Sequence, residues 1–178
     1  MHINNVIHGD LKPRNIVSVG MAWKLIDLDS SSFVNEPIGK KYSSAYSPPE
    51  LARLLFTKSG ESIDYLLQKQ DKTTSSSSAI SGHSFNCGER KLLDSASPSF
   101  DVWGFGCVFY QLCSGRPLFT QVDSSDDNIF DEKAAICLRN WHEIDNRRLS
   151  FVFQEKDDDD PEKSLAKDLL RKCLKGDQ

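Results

Sequence analysis

The sequence predicts a mainly α fold with one small β-hairpin near its start, and three observations lead there. Residues 100–113 form the most apolar stretch. Phe100, Val102, Trp103, Phe105, Val108, Phe109, Tyr110 and Leu112 cover every face of a helix, which predicts a central helix buried on all sides. Two later stretches, 131–140 and 160–174, carry helical periodicity. Near the front, Ile16-Val17-Ser18-Val19 and Trp23-Lys24-Leu25-Ile26 are short β-rich runs on either side of Gly20-Met21-Ala22, the pattern of a hairpin.

Each element has local support. A hairpin brings its outer ends together, so Asn15 before the first strand and Asp27 after the second are expected side by side, facing the loop that carries Asp10. Residues 27–50 are polar and end on Tyr46-Ser47-Pro48-Pro49-Glu50, which cannot continue a helix, so a long mobile surface segment is expected before a short helix over 50–56. Residues 57–98 contain Lys72-Thr73-Thr74-Ser75-Ser76-Ser77-Ser78 and few large apolar residues, the composition of a flexible Ser-rich insertion. Ser99 is the expected cap of the central helix, and Gly115 and Pro117 mark its end. Asp101 falls in the first turn, where free N–H groups and the helix dipole favour a carboxylate. Asp160-Pro161-Glu162 supplies a cap, a proline at the first helical position and an acidic first turn for the last helix, read as amphipathic on Leu165, Leu169, Leu170, Cys173 and Leu174. No internal repeat is visible.

Composition narrows the function classes. The 178 residues carry a formal net charge of -4, and the basic residues are scattered, which argues against a nucleic-acid surface. No apolar run approaches the roughly 20 residues of a membrane span, and the N-terminus lacks a signal pattern, so a cytoplasmic protein is expected. Five dispersed cysteines without a C-x-x-C pair read as reduced, mostly buried thiols, with no metal-ligand set among them. The acidic run Asp157-Asp158-Asp159-Asp160 reads as a solvated loop.

The chemistry concentrates in His8-Gly9-Asp10-Leu11-Lys12-Pro13-Arg14-Asn15. Taken singly, Asp10 is a turn residue and Lys12 a solvated surface charge. Their context changes that reading. The stretch resembles the protein kinase catalytic loop, H-R-D-L-x-x-x-N. Asp27-Leu28-Asp29 then resembles the D-F-G element, Pro48-Pro49-Glu50 resembles A-P-E, and Asp101-Val102-Trp103-Gly104-Phe105-Gly106 resembles the family's D-V-W-S-F-G helix start. The order and spacing of these motifs match a eukaryotic-type serine/threonine protein kinase domain. The resemblance implies a protein-kinase-like C-lobe, the α+β kinase fold without its N-lobe: residues 1–56 as catalytic loop, metal-binding hairpin and activation segment, 57–98 as an insertion, and 99–178 as C-lobe helices.

The implied activity is ATP-dependent phosphoryl transfer to Ser or Thr hydroxyls of a protein substrate, a reaction catalysed mainly by positioning and charge neutralisation. Asp10 is implied to orient or accept the substrate hydroxyl, and Lys12 to reach the γ-phosphate as in Ser/Thr kinases. Asn15 and Asp27 offer hard oxygen ligands for Mg²⁺ on the ATP phosphates. Ser43 matches the position from which a family Thr contacts the catalytic Asp. His8 is implied to pack beneath the loop rather than act as a base, and His2, His83 and His142 are given no role. Asp101 is implied to tie down the catalytic-loop backbone.

Departures from the pattern carry their own expectations. Gly9 stands in place of the arginine that binds a phosphorylated activation segment, so phosphorylation between Ser30 and Ser47 is not expected to switch the protein on. Asp29 replaces the D-F-G glycine, which restricts the backbone and adds a charge near the metal site. The sequence starts close to the catalytic loop and stops before the family arginine that pairs with the A-P-E glutamate. A missing N-lobe or upstream domain, a Glu50 without that arginine, and an inactive or unstable isolated chain are therefore expected. The alternative function is a pseudokinase or scaffold lobe that binds a protein partner.

Overall fold

In a computed structural model of the chain, the described residues are 1–38, 42–61, 95–120, 122–123, 125–153 and 160–176. Most of the Ser-rich insertion, with His83 and Cys87, lies outside them, as do Asp157, Asp158 and Asp159. Five α-helices are described: α1 (Pro49–Leu55), α2 (Pro98–Ser114), α3 (Glu132–Arg139), α4 (Asn146–Leu149) and α5 (Pro161–Cys173). They accompany two two-stranded antiparallel sheets. In the first, β1 (Val6–Ile7) pairs with β4 (Ser32–Phe33), Val6 opposite Phe33 and Ile7 opposite Ser32. In the second, β2 (Ile16–Val19) and β3 (Ala22–Leu25) form the expected hairpin, in register from Ile16 opposite Leu25 to Val19 opposite Ala22. The turn is the two-residue Gly20-Met21, with Gly20 at φ +63°, so Ala22 belongs to the strand and Ile26 lies beyond it.

The helix ends follow their caps. Asp131 accepts from the Ala134 amide at the start of α3, Asp145 from Arg148 at α4, and Asp160 from Glu162 at α5. Each carboxylate satisfies a donor that has no intrahelical acceptor and lies at the positive end of the dipole. The central helix begins earlier than expected. Pro98 occupies its first position and Ser97 accepts from the Ser99 amide, so Ser97 rather than Ser99 is the cap.

One core joins the helices. Trp103 of α2 meets Trp141 edge-on at 5.7 Å, and Phe119 meets the same ring at 5.7 Å. The Trp141 indole N–H donates to the Leu174 carbonyl at 2.8 Å, tying the end of α5 to this cluster. Leu138, Tyr110, Cys107 and Leu170 complete the buried contacts. α1 is held to α3 by Arg139, whose guanidinium donates to the Arg53 and Phe56 carbonyls.

Two burial expectations fail. α2 is not covered all round, since Val102, Phe105 and Leu112 are 42%, 43% and 77% exposed. α5, β1 and the 3-10 turn Ser44–Tyr46 surround the rest of the helix, whereas Val102 and Phe105 face an open apolar groove with Ile3, Leu11 and Leu25. On α5, Leu165 and Leu169 point outward and the buried stripe is Lys163, Ala166, Leu170 and Cys173. Spacing gives a helix two plausible apolar faces here, and contact with α2 selects the narrower one. Glu50, expected to lack its arginine, is not without an interaction partner. The four described cysteines are free, and no helix among the described residues is long and apolar enough to cross a membrane.

Truncating Leu138, the fully buried residue that α3 contributes to the core beside the tryptophans, should cost about 2–5 kcal/mol in urea unfolding. Leu165→Ala, on the outer face of α5, should change stability by less than about 1 kcal/mol.

Candidate active site

The site is assembled around residues 8–15, which leave β1 and enter β2. Asp101 of α2 anchors the start of this loop: its Oδ2 accepts from the His8 amide at 2.8 Å and its Oδ1 from the Gly9 amide at 3.0 Å. The same Oδ2 lies 2.7 Å from His2 Nε2, a contact the sequence reading assigned no role. His8 is fully buried, with Nε2 3.0 Å from the Ile26 carbonyl and Nδ1 3.3 Å from the Asp10 amide. A carbonyl can only accept, so the proton sits on Nε2 and Nδ1 receives the Asp10 N–H. This ring thus joins the catalytic loop to the end of the hairpin, the structural task expected of it.

Close packing sets the height of the loop. A Cβ on Gly104 would lie 2.8 Å from the Leu11 carbonyl oxygen, so a side chain there would push the loop off α2. Gly9 is constrained twice. Its φ is +79°, and a Cβ would meet the Ser30 carbonyl oxygen at 2.5 Å. The turn Leu28–Ser30 closes directly over this position and leaves no room for a side chain.

Asp10 is 4% exposed. Asn15 Nδ2 donates to the Asp10 carbonyl at 2.8 Å and to its Oδ2 at 3.2 Å, fixing the carboxylate from one side. Lys12 Nζ lies 3.3 Å from the same Oδ2. Oδ1 is buried and has no hydrogen-bond donor. A buried carboxylate oxygen without a donor is costly.

Lys12 is the other centre. It donates to Ser43 Oγ at 2.6 Å and lies 3.2 Å from Asp127 Oδ2. Ser43 therefore reaches Asp10 through the lysine, where the sequence pattern implied a direct hydrogen bond. The polar contact that sequence reasoning missed is Asp127. Its neighbourhood, Asp126-Asp127-Asn128, shows a turn, and Asp127 indeed sits at φ +62°, but nothing local connects it with a lysine 115 positions earlier.

The hairpin delivers Asn15 and the residue before Asp27 to one place, since the Ile26 amide donates to the Asn15 carbonyl at 3.0 Å. Asp27 follows as an exposed residue at φ +61°. With its side-chain nitrogen committed to Asp10, Asn15 keeps its side-chain oxygen, and Asp27 carries a carboxylate at the other end of the hairpin. Two hard oxygens of this kind would suit Mg²⁺.

Two groups packed around α2 show how burial perturbs acidity. Burial pushes the Tyr46 phenol from 10.0 up to about 12, helped by the Asp127 charge, and its hydroxyl donates to Gln111 Oε1 at 3.2 Å. Burial also pushes the Cys107 thiol far up, leaving it inert.

Comparison with known proteins agrees with this geometry. No family model matches the chain. It is 26% identical over 186 residues to the serine/threonine-protein kinase mph1 of Schizosaccharomyces pombe, covering 100% of this chain and 23% of that protein. Against the mouse dual specificity protein kinase TTK it is 25% identical over 174 residues, covering 98% and 16%. The chain thus spans less than a quarter of these curated relatives. The structure of the Cydia pomonella granulovirus kinase PK-1 superposes with a TM-score of 0.52 at 18% identity, over 97% of this chain and 45% of that one.

Gly9→Arg should destabilise the fold by about 2 kcal/mol or more, through the positive φ and the Ser30 contact, and thermal unfolding checks it. Tyr46 favours its neutral form in the folded state. Its contribution is complete below pH 10, the unfolded value, and is lost as pH rises through about 12. Tyr46→Phe should flatten the stability profile in that window, as read by urea unfolding at successive pH values. By sequence and fold, the chain is a relative of serine/threonine protein kinases and carries the architecture of a kinase C-lobe.

Proposed function

We propose that this chain is the C-lobe part of a protein kinase that transfers the γ-phosphoryl group of ATP to Ser or Thr hydroxyls of a protein substrate. The observation that carries the reading is Asp10: a buried carboxylate, fixed through Oδ2 by Asn15 and flanked by Lys12, with Oδ1 lacking a donor. That is the state of a group waiting for a hydroxyl proton.

In this reading Asp10 Oδ1 accepts the hydrogen bond of the substrate Ser or Thr and aligns its oxygen for in-line attack. Lys12 offers its ammonium to the γ-phosphate, and Ser43 fixes the lysine's direction from the activation segment. Asn15 and Asp27 hold Mg²⁺, which when bound neutralises charge on the ATP phosphates. An N-lobe or upstream domain supplies the remaining walls of the nucleotide site. Support for that addition comes from the relatives, of which this chain matches under a quarter, and from the hairpin, where Met21 and Trp23 are 106% and 76% exposed. Free cysteines fit a reducing cytoplasm.

Activation by phosphorylation of the segment 30–47 does not fit. Ser30, Ser43, Ser44 and Ser47 are all buried, so a phosphate on any of them displaces packed structure, and Gly9 cannot bind it. The alternative, a scaffold lobe that docks a protein without transferring phosphate, draws on the exposed apolar residues of the hairpin and α2.

The deciding experiment is Mg²⁺-dependent transfer from radiolabelled ATP to Ser/Thr peptides by the protein extended upstream. Transfer that falls by a factor of about 100 or more in Asp10→Ala supports the kinase reading; a protein that folds and binds peptide but transfers nothing supports the scaffold. Phosphomimetic Ser31→Glu or Ser32→Glu should leave the rate within about twofold of the parent, on the general expectation that surface charges without a partner contribute little.

A further inference from the structure

We propose that Asp127 is a positioning residue for Lys12: it holds the ammonium away from Asp10 and so keeps Asp10 free for the substrate hydroxyl. The inference rests on the reading of Asp10 and Lys12 as the phosphoryl-transfer pair.

Distances carry the argument. A charge-assisted N–H···O bond closes to about 2.7–2.9 Å. Lys12 Nζ makes neither of its carboxylate contacts that short, standing 3.3 Å from Asp10 and 3.2 Å from Asp127. Asp127 Oδ2 is also buried without an aligned hydrogen-bond donor. The lysine is therefore suspended between two anions, with its well-formed bond directed to the neutral Ser43 hydroxyl at 2.6 Å. Two attractions of similar range act on the ammonium at once. Remove one, and the ammonium moves to the other.

The fold fixes the counterweight in place. Asp127 belongs to a loop closed by a bridge between Val122 and Ile129, and its own amide donates to the Asp123 carbonyl at 2.9 Å. That loop is fastened to the segment carrying Ser43. The Ala45 amide donates to the Asp127 carbonyl at 3.2 Å, the Ser44 amide to Asn128 Oδ1 at 2.9 Å, and the Ile129 amide to Ser44 Oγ at 2.8 Å. On the other side Arg14 Nη1 donates to the Ser125 carbonyl at 3.2 Å, with Nε 3.7 Å from Asp127 Oδ2. Asp127 and Ser43 therefore reach Lys12 as one unit, and the lysine is 12% exposed between them.

Neutralising Asp127 lets Lys12 close onto Asp10 Oδ2, the oxygen it already faces, which turns the carboxylate and takes Oδ1 out of line for the substrate hydroxyl. In the upstream-extended protein, Asp127→Asn should lower kcat for peptide phosphorylation about ten- to a hundredfold while KM for ATP stays within about twofold, and Asp127→Glu should recover most of the loss. An unchanged or raised kcat in Asp127→Asn overturns the proposal, as does a loss that appears in KM alone. A second measurement is independent of catalysis. Urea unfolding of Asp127→Asn, Lys12→Gln and the double variant should give non-additive losses, because the two side chains share one contact; additive losses overturn the proposal. If the parent protein transfers no phosphate, the kinase reading fails while this unfolding cycle still decides whether Asp127 restrains Lys12. Should Asp127→Asn not fold, Asp127→Ser takes its place in both measurements.

Discussion

The Asp101 carboxylate, accepting from two successive backbone amides of the catalytic loop, is the interaction on which the rest of the site depends. A loop of eight residues with a proline and a positive-φ glycine has little intrinsic preference for one shape. Pinned at His8 and Gly9 to the first turn of α2, it takes its position from that helix. His8 then extends the restraint to the hairpin through Ile26, and Asn15 extends it to Asp10. Each buried polar group in the chain of contacts satisfies the next, so loss of the first leaves several unsatisfied.

Much of this was legible in the sequence because the information is local. Asp160 announces its helix by residue type and spacing, and the cap is made. The hairpin follows from two β-rich runs around a glycine, and the motif order around Asp10 points to the family. What the sequence did not disclose depends on approach between distant segments. The exposure of Leu165 and Val102 is set by which neighbour packs where, and periodicity alone carries no such address. The positive φ of Gly9 could be suspected from the residue, but its cause, the Ser30 carbonyl, could not. Asp127 belongs to the same class: a turn signal was readable, its target was not.

Charge in the site is arranged as an alternation. Asp10, Lys12, Asp127 and Arg14 run anion, cation, anion, cation across the catalytic loop and the loop beyond α2. Such a string has almost no net charge, so its buried members Asp10, Lys12 and Asp127 are kept at a cost far below that of any one of them in isolation. It also lacks a strong field of its own.

The tight seat of Leu11 on Gly104 has a mechanical meaning. Where a side chain separates two segments, rotamer changes absorb small displacements; where backbone rests on backbone, nothing between them can yield. A slight roll or shift of α2 is passed to the catalytic loop almost undiminished, as a cam drives its follower. At the far end of that helix Tyr110 donates to the Arg148 carbonyl and the Cys113 carbonyl accepts the Phe153 amide. Events at that remote end thus have a stiff route to the carboxylate of Asp10.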